Sequence, residues 1–177
     1  MADEGLLILG SREVTTLLAN REAEVMDVVK SAYVAHRDGQ SSLPHSTFLR
    51  FPGNETDRII ALPAYLGDGF DVAGVKWISS FPENVKHGMA RASAVLVLND
   101  CRSGRPEAIL EGSVISSRRT AASAALGARV LLEGRNPGRA GLIGTGPINL
   151  DIARFLNVSL GVRSFLIYNL DVERASR

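Results

Sequence analysis

Cysteine is almost absent: Cys101 is the single one among 177 residues. An intrachain disulfide is therefore excluded, and the expected setting is the reducing cytoplasm. Lysine is scarce too. Only Lys30, Lys76 and Lys86 occur, so seventeen of the 20 basic residues are arginine, whose planar fork grips carboxylates in two-pronged fashion. Charge of one sign is lacking: 20 Lys plus Arg against 19 Asp plus Glu leave a formal net charge of +1. That excludes the strong positive field that nucleic acid or an anionic membrane surface calls for. Apolar runs such as Ala94 to Leu98 are strand-sized, far short of the ~20 residues of a membrane helix. The start MADEGLLILG lacks the basic and apolar regions of a signal peptide. The expected partner is a small molecule, with no nucleic acid and no membrane. What is present, 45% hydrophobic and 22% charged residues, excludes disorder, collagen and coiled coil and leaves roughly one domain and a fraction.

Along the chain, Ser11 and Asn20 are expected to cap two helices, the second ending at Gly39. From Pro44 to Leu110 the texture turns to short β-rich runs: 47–51, 58–65, 72–79, 93–98 and 106–110. They predict a sheet, with Asn99, Asp100, Ser103 and Gly104 in a hairpin loop between the last two. Ser113 to Leu132 is rich in alanine and predicts a closely packed helix bridging two domains. A breaker run, Gly134 to Gly138, precedes a strand at 140–143, then Gly144-Thr145-Gly146, an apolar helix to about Leu160, and a second strand at 164–168. Strand, glycine turn, helix, strand is the opening of a dinucleotide-binding fold. The expected fold class is α/β: an α+β sheet domain over 1–133, then the first βαβ unit of a Rossmann domain over 134–177. One such unit is incomplete as a dinucleotide domain, so the chain reads as the amino-terminal part of something longer.

Gly144 and Gly146 fill the first two fingerprint positions, where backbone N–H groups at a helix start meet pyrophosphate. Pro147 suits a first helical turn. The third position, usually glycine or alanine, is Asn149. At the end of the second strand, where an acid ordinarily binds ribose hydroxyls, stand Asn169 and Asp171. Asp171 can bind ribose or cap the following helix. With no compact arginine pair there to take an extra phosphate, NAD is favoured over NADP. Lys76 and Arg50 lie in otherwise apolar strands, where a basic residue either serves a site or forms the solvent side of an alternating pattern. Arg118 and Arg119 open the alanine-rich helix against its dipole, which calls for an anion nearby, and only one of the pair can face a given site. His36, His45 and His87 have no metal-ligand spacing.

Arg58-Ile-Ile-Ala-Leu-Pro63-Ala-Tyr65, Gly74-Val-Lys76, Phe81-Pro-Glu-Asn84, Leu98-Asn-Asp100, Arg119-Thr-Ala-Ala122 and Gly144-Thr-Gly146 follow one another in an order that resembles the ornithine cyclodeaminase/mu-crystallin family over nearly the whole chain. Ile78 to Pro82, Arg91 to Ala94 and Ile115 to Ser117 look most like its branch making 2,3-diaminopropionate for siderophores and antibiotics. Members of that branch cleave N-(2-amino-2-carboxyethyl)-L-glutamate oxidatively with NAD, giving 2,3-diaminopropionate and 2-oxoglutarate. The resemblance implies that Arg50, Lys76 and Arg119 hold substrate carboxylates between a dimerising sheet domain and the nucleotide domain, with Lys76 also catalytic. It implies that Thr120, Gly144, Thr145, Gly146, Pro147, Ile148, Asn169 and Asp171 bind the cofactor, and that a homodimer forms through the sheet. The family's catalytic aspartate matches no residue of this chain. Ornithine cyclodeamination and a non-catalytic NAD(P)-binding module are the alternatives within the same resemblance.

Overall fold

A computed structural model of the chain describes residues 5–171 and 173. All five β-rich runs form strands: β3 (Thr47–Phe51), β4 (Asn54–Leu66), β5 (Val72–Ser80), β6 (Ala92–Asp100) and β7 (Pro106–Glu111). Two strands were not foreseen, β1 (Leu7–Leu9) and β2 (Ser41–Ser42), each too short to show a period of two. The seven make one sheet in the order β1-β7-β6-β5-β4-β2, with β3 also on β4. Only β1 runs parallel to its partner, β7.

The β6–β7 loop shows how a turn is written in side chains. Asp100 Oδ1 accepts the N–H groups of Arg102 (2.8 Å) and Ser103 (2.6 Å), and the Asn99 amide donates to the Gly104 carbonyl at 3.0 Å. These donors, with Ser103 foremost, hold the Asp100 carboxyl below its usual value.

The two leading helices are α1 (Ser11–Leu17) and α2 (Glu22–Arg37). Ser11 is already helical, and Gly10 supplies the carbonyl that the Val14 N–H reaches at 3.0 Å. Asn20 does not take a capping conformation. It turns the chain at φ 56°, and Arg21 offers the carbonyl for the first bond of α2. The stop at Gly39 is as expected: its φ is 74° and Gln40 N–H returns to the Ala35 carbonyl at 2.9 Å.

Helix α3 (Ser113–Leu132) leads to β8 (Arg139–Ile143), α4 (Pro147–Leu160) and β9 (Ser164–Tyr168). The chain divides into two units, one holding residues up to 17 with 32–115, the other 18–31 with 116 onward. Both α2 and α3 run across the division. The reason lies in the second unit's core, which gathers Met26 of α2, Ala121, Ala122, Ala125 and Leu126 of α3, Phe155 and Leu156 of α4, and Val162. Alanines on α3 let the backbones approach closely, and Phe155, fully buried, fills the remaining volume.

Candidate functional site

The parallel pair β8 and β9 is in register from Arg139 opposite Ser164 to Ile143 opposite Tyr168, with α4 as the connection. At the tip of β8, Gly144 takes φ 97°, a conformation strained for any residue with a Cβ, and its N–H bonds the Tyr168 carbonyl at 2.7 Å. Gly146 occupies the N-cap of α4 and provides no side-chain cap, and Pro147 opens the helix. The space where a Gly146 side chain would start is open. A bare helix start beside open space suits an anionic group drawn to first-turn N–H groups. A dinucleotide's pyrophosphate fits that description.

Asn149 has a use that the fingerprint's small residue could not serve. Its amide nitrogen donates to the carbonyls of Ile143 (2.7 Å) and Gly144 (3.0 Å), so it clamps both sides of the glycine turn. Thr145 and Asn169 meet at the strand tips, the amide donating to the Thr145 hydroxyl at 2.5 Å. Asn169 Oδ1 accepts the Asp171 N–H at 3.1 Å, and Asp171 is exposed with its carboxylate on the Glu173 N–H. Ile148 is exposed in the first turn of α4. Thr120 turns its hydroxyl back onto the Ser116 carbonyl at 2.7 Å within α3.

On α3 the paired arginines separate as helical geometry requires. Arg119 is exposed and Arg118 is buried. The anion that the helix dipole calls for comes, for Arg118, from the protein: Glu22 at 2.8 Å and Asp151 at 3.5 Å. Asp151 also accepts the Ser117 hydroxyl at 2.5 Å and Arg154 at 3.1 Å. Sequence reading missed this network, because its partners lie far apart along the chain. The cap of α3 was missed too: Glu111 accepts the N–H groups of Ser113 (2.6 Å) and Val114 (3.0 Å).

In the first unit, strand register sorts the sheet into two faces. Arg50 opposes Arg58 on β4, Arg58 opposes Ser80 on β5, and Leu62 opposes Lys76. Directly opposed residues share a face, and so do alternate residues along a strand. Arg50, Arg58, Lys76 and Ser80 therefore lie on one face, in two rows separated by Phe48, Ile60 and Ile78. Four residues along the strands and two strands across put the backbones of Arg50 and Lys76 roughly 16 Å apart, a span that two long side chains can narrow. The Arg50 guanidinium also stacks 5.6 Å from the Phe48 ring centroid. The opposite face carries Leu49, Tyr65 and Trp77, all exposed. Lys76 is the more covered member of the Lys76–Trp77 pair, the reverse of a solvent-side lysine beside a core tryptophan.

A mixed sheet, a glycine turn opening a βαβ unit and basic residues facing one way define an α/β protein of the kind that pairs a sheet domain with a dinucleotide-type unit. Residues 7–177 match the model of the ornithine cyclodeaminase/mu-crystallin family, and the chain belongs to that family. It is 35% identical over 130 residues to N-((2S)-2-amino-2-carboxyethyl)-L-glutamate dehydrogenase of Staphylococcus aureus, covering 71% of this chain and 39% of that protein. Alanine dehydrogenase of Archaeoglobus fulgidus is 32% identical over 140 residues, covering 79% of this chain and 41% of that one. Among solved structures, an archaeal alanine dehydrogenase dimer with bound NAD superposes with a TM-score of 0.86 at 27% identity, over 97% of this chain and 51% of the other. The Thermococcus litoralis Δ1-pyrroline-2-carboxylate reductase, in complex with NADH and L-proline, also gives 0.86, at 26% identity and the same coverage. The chain spans about two fifths of those two curated relatives and about half of the two solved chains.

Proposed function

We propose that this chain is the amino-terminal part of an NAD-dependent oxidoreductase that cleaves N-(2-amino-2-carboxyethyl)-L-glutamate to 2,3-diaminopropionate and 2-oxoglutarate, supplying a siderophore or antibiotic precursor. The observation that carries this reading is the sheet register, which turns Arg50 and Lys76 to one face. The identity to the Staphylococcus aureus enzyme supports the choice of substrate. The bare start of α4 supports the choice of cofactor class.

Gly144, Thr145, Gly146, Pro147 and Ile148 would hold the pyrophosphate, Asn169 and Asp171 the ribose hydroxyls, and Thr120 a further edge of the cofactor. When bound, NAD would accept the hydride from the amine-bearing carbon; water adding to the resulting substrate imine supplies the keto oxygen of 2-oxoglutarate as the C–N bond breaks and 2,3-diaminopropionate leaves. The chain's own part is positioning. Arg50 and Arg119 neutralise carboxylates through two-pronged hydrogen bonds. Lys76 holds a carboxylate and, at Nζ, carries a proton to or from the substrate nitrogen. Fixing the carboxylates fixes the carbon between them, and such alignment lowers a barrier by several kcal/mol.

Residues 1–133 are proposed as the substrate and dimerisation domain and 134–177 as the start of the nucleotide domain, in a cytoplasmic homodimer. Exposure of Leu49, Tyr65 and Trp77 on the face opposite Lys76 supports the dimer. Trp77→Asp should halve the mass found by light scattering without unfolding the sheet, and an unchanged mass would exclude this face. The reaction itself is tested by incubating the full-length protein, of which this chain is proposed as the amino-terminal part, with NAD and each substrate while following absorbance of reduced nicotinamide. Reduced nicotinamide should accumulate with the glutamate derivative. Ammonia release from ornithine with no net reduction would replace this reading by cyclodeamination.

A further inference from the structure

The described part of the sheet contains a buried hydroxyl with no partner. Ser80, at the end of β5, is 8% exposed and its Oγ bonds nothing. Leaving such a group dry and unpaired is costly, and in native proteins it calls for an explanation. Its cross-strand neighbour is Arg58, and Arg58 in turn lies directly opposite Arg50. Like charges facing each other across adjacent strands repel. Neither arginine is neutralised by an acidic side chain among the described ion pairs. The one hydrogen bond recorded for the Arg58 guanidinium, to the Thr56 carbonyl, is long at 3.4 Å.

Two opposed guanidinium groups and an unpaired hydroxyl, in one row across three strands, share a single chemical need: an anion that accepts from all three. We infer that Arg58 and Ser80, with Arg50, form a second carboxylate subsite, one apolar row away from Lys76. Phe48, Ile60 and Ile78 make up that intervening row. A ligand suited to the face has a carboxylate at each end and an aliphatic stretch between, as an N-substituted acidic amino acid does. A monocarboxylate such as L-alanine or L-proline would leave the Arg58 row unfilled. This deepens the proposed function and rests on it, since Lys76 supplies the other end of the substrate. Arg58 and Ser80 would then select for the distal carboxylate.

The test compares N-(2-amino-2-carboxyethyl)-L-glutamate with the analogue whose glutamyl side-chain carboxyl is converted to the amide. Full-length wild-type protein with NAD should favour the acid about tenfold in kcat/KM, as expected for one charge-assisted contact, and the variants are made in the same full-length protein. In Arg58→Gln that preference should fall toward unity, chiefly through KM. Ser80→Ala provides a control against simple misfolding because it separates two readouts. Removing an unpaired buried hydroxyl should raise Tm while weakening the acid preference several-fold. A hydroxyl with a merely structural role would instead lower Tm and weaken both ligands alike. An undiminished acid preference in both variants, or none in the wild type, overturns the subsite while leaving the oxidoreductase intact. No reduced nicotinamide from the full-length wild type with the acid overturns the reading beneath it.

Discussion

Replacing Arg118 by methionine keeps most of the side-chain volume and deletes the charge at the centre of the second unit. Arg118 bonds Glu22 at 2.8 Å and lies 3.5 Å from Asp151, and the side chains of all three are about nine-tenths buried. The variant strands Glu22 without its cation. Asp151 keeps Arg154 and the Ser117 hydroxyl, so the loss belongs at the lower end of the range for breaking a buried pair, about 3 kcal/mol. For a chain of this size that corresponds to a fall in Tm of roughly 6–12 °C. Urea unfolding followed by far-ultraviolet circular dichroism measures the loss directly. The same physics predicts partial recovery, since an apolar replacement of both members of a pair avoids the stranded charge. Glu22→Leu combined with Arg118→Met should therefore cost at least 1 to 2 kcal/mol less than the two single changes added together. A single-variant loss under about 1 kcal/mol, the scale of a solvent-exposed pair, or strict additivity in the cycle would refute the view that this network holds α2, α3 and α4 together.

Two further outcomes follow from side chains that fix turns. Asn149→Ala removes two hydrogen bonds that clamp the glycine turn, so NAD binding measured calorimetrically should weaken about tenfold, equivalent to roughly 1.4 kcal/mol, with adenosine affinity unaffected; equal or tighter NAD binding would show that the clamp is dispensable. Asp100 has its folded pKa lowered by the Ser103 and Arg102 N–H groups, so its contribution is fully present above the ordinary carboxylate value and is lost as pH falls through the lowered folded one. Amide exchange in the β6–β7 loop should accelerate over that acidic window in wild type and already be fast at neutral pH in Asp100→Ala, and a pH-independent loop would exclude this role for the carboxylate.

What could be read from the chain and what could not follows from the range of the forces involved. Glycine turns, proline at a helix start and β-rich runs act over a few residues, so the βαβ unit and the strands β3 to β7 were legible as local patterns. The Gly144–Pro147 turn was legible for the same reason. Partners distant in sequence were not: Glu22 and Arg118 are 96 residues apart and Ser117 and Asp151 are 34 apart, so no spacing rule joins them. The alternation around Lys76 shows a subtler limit. A period of two says that Lys76 and Trp77 lie on opposite faces, but it assigns neither face to the interior. Hydrophobicity alone would bury Trp77, yet Trp77 is 43% exposed and Lys76 is the more covered.

That inversion bears on the proposed function. An isolated sheet face gains by burying tryptophan, whereas a face that must receive a charged ligand has to keep cations where water is partly excluded, because an ion pair strengthens as the surrounding dielectric falls. Arg58 and Ser80 extend the same logic by one strand. Neither drew notice in sequence as a ligand-binding residue, Arg58 as the first residue of one β-rich run and Ser80 just past the end of another. Their common row exists only once β4 and β5 pair with Arg58 opposite Ser80, a register fixed by the short turn after Leu66. Shifting that register by one residue would send Lys76 to the face of Trp77 and separate Arg58 from Ser80. Residues of the β4–β5 turn, far from any cation, therefore control whether the basic row forms at all.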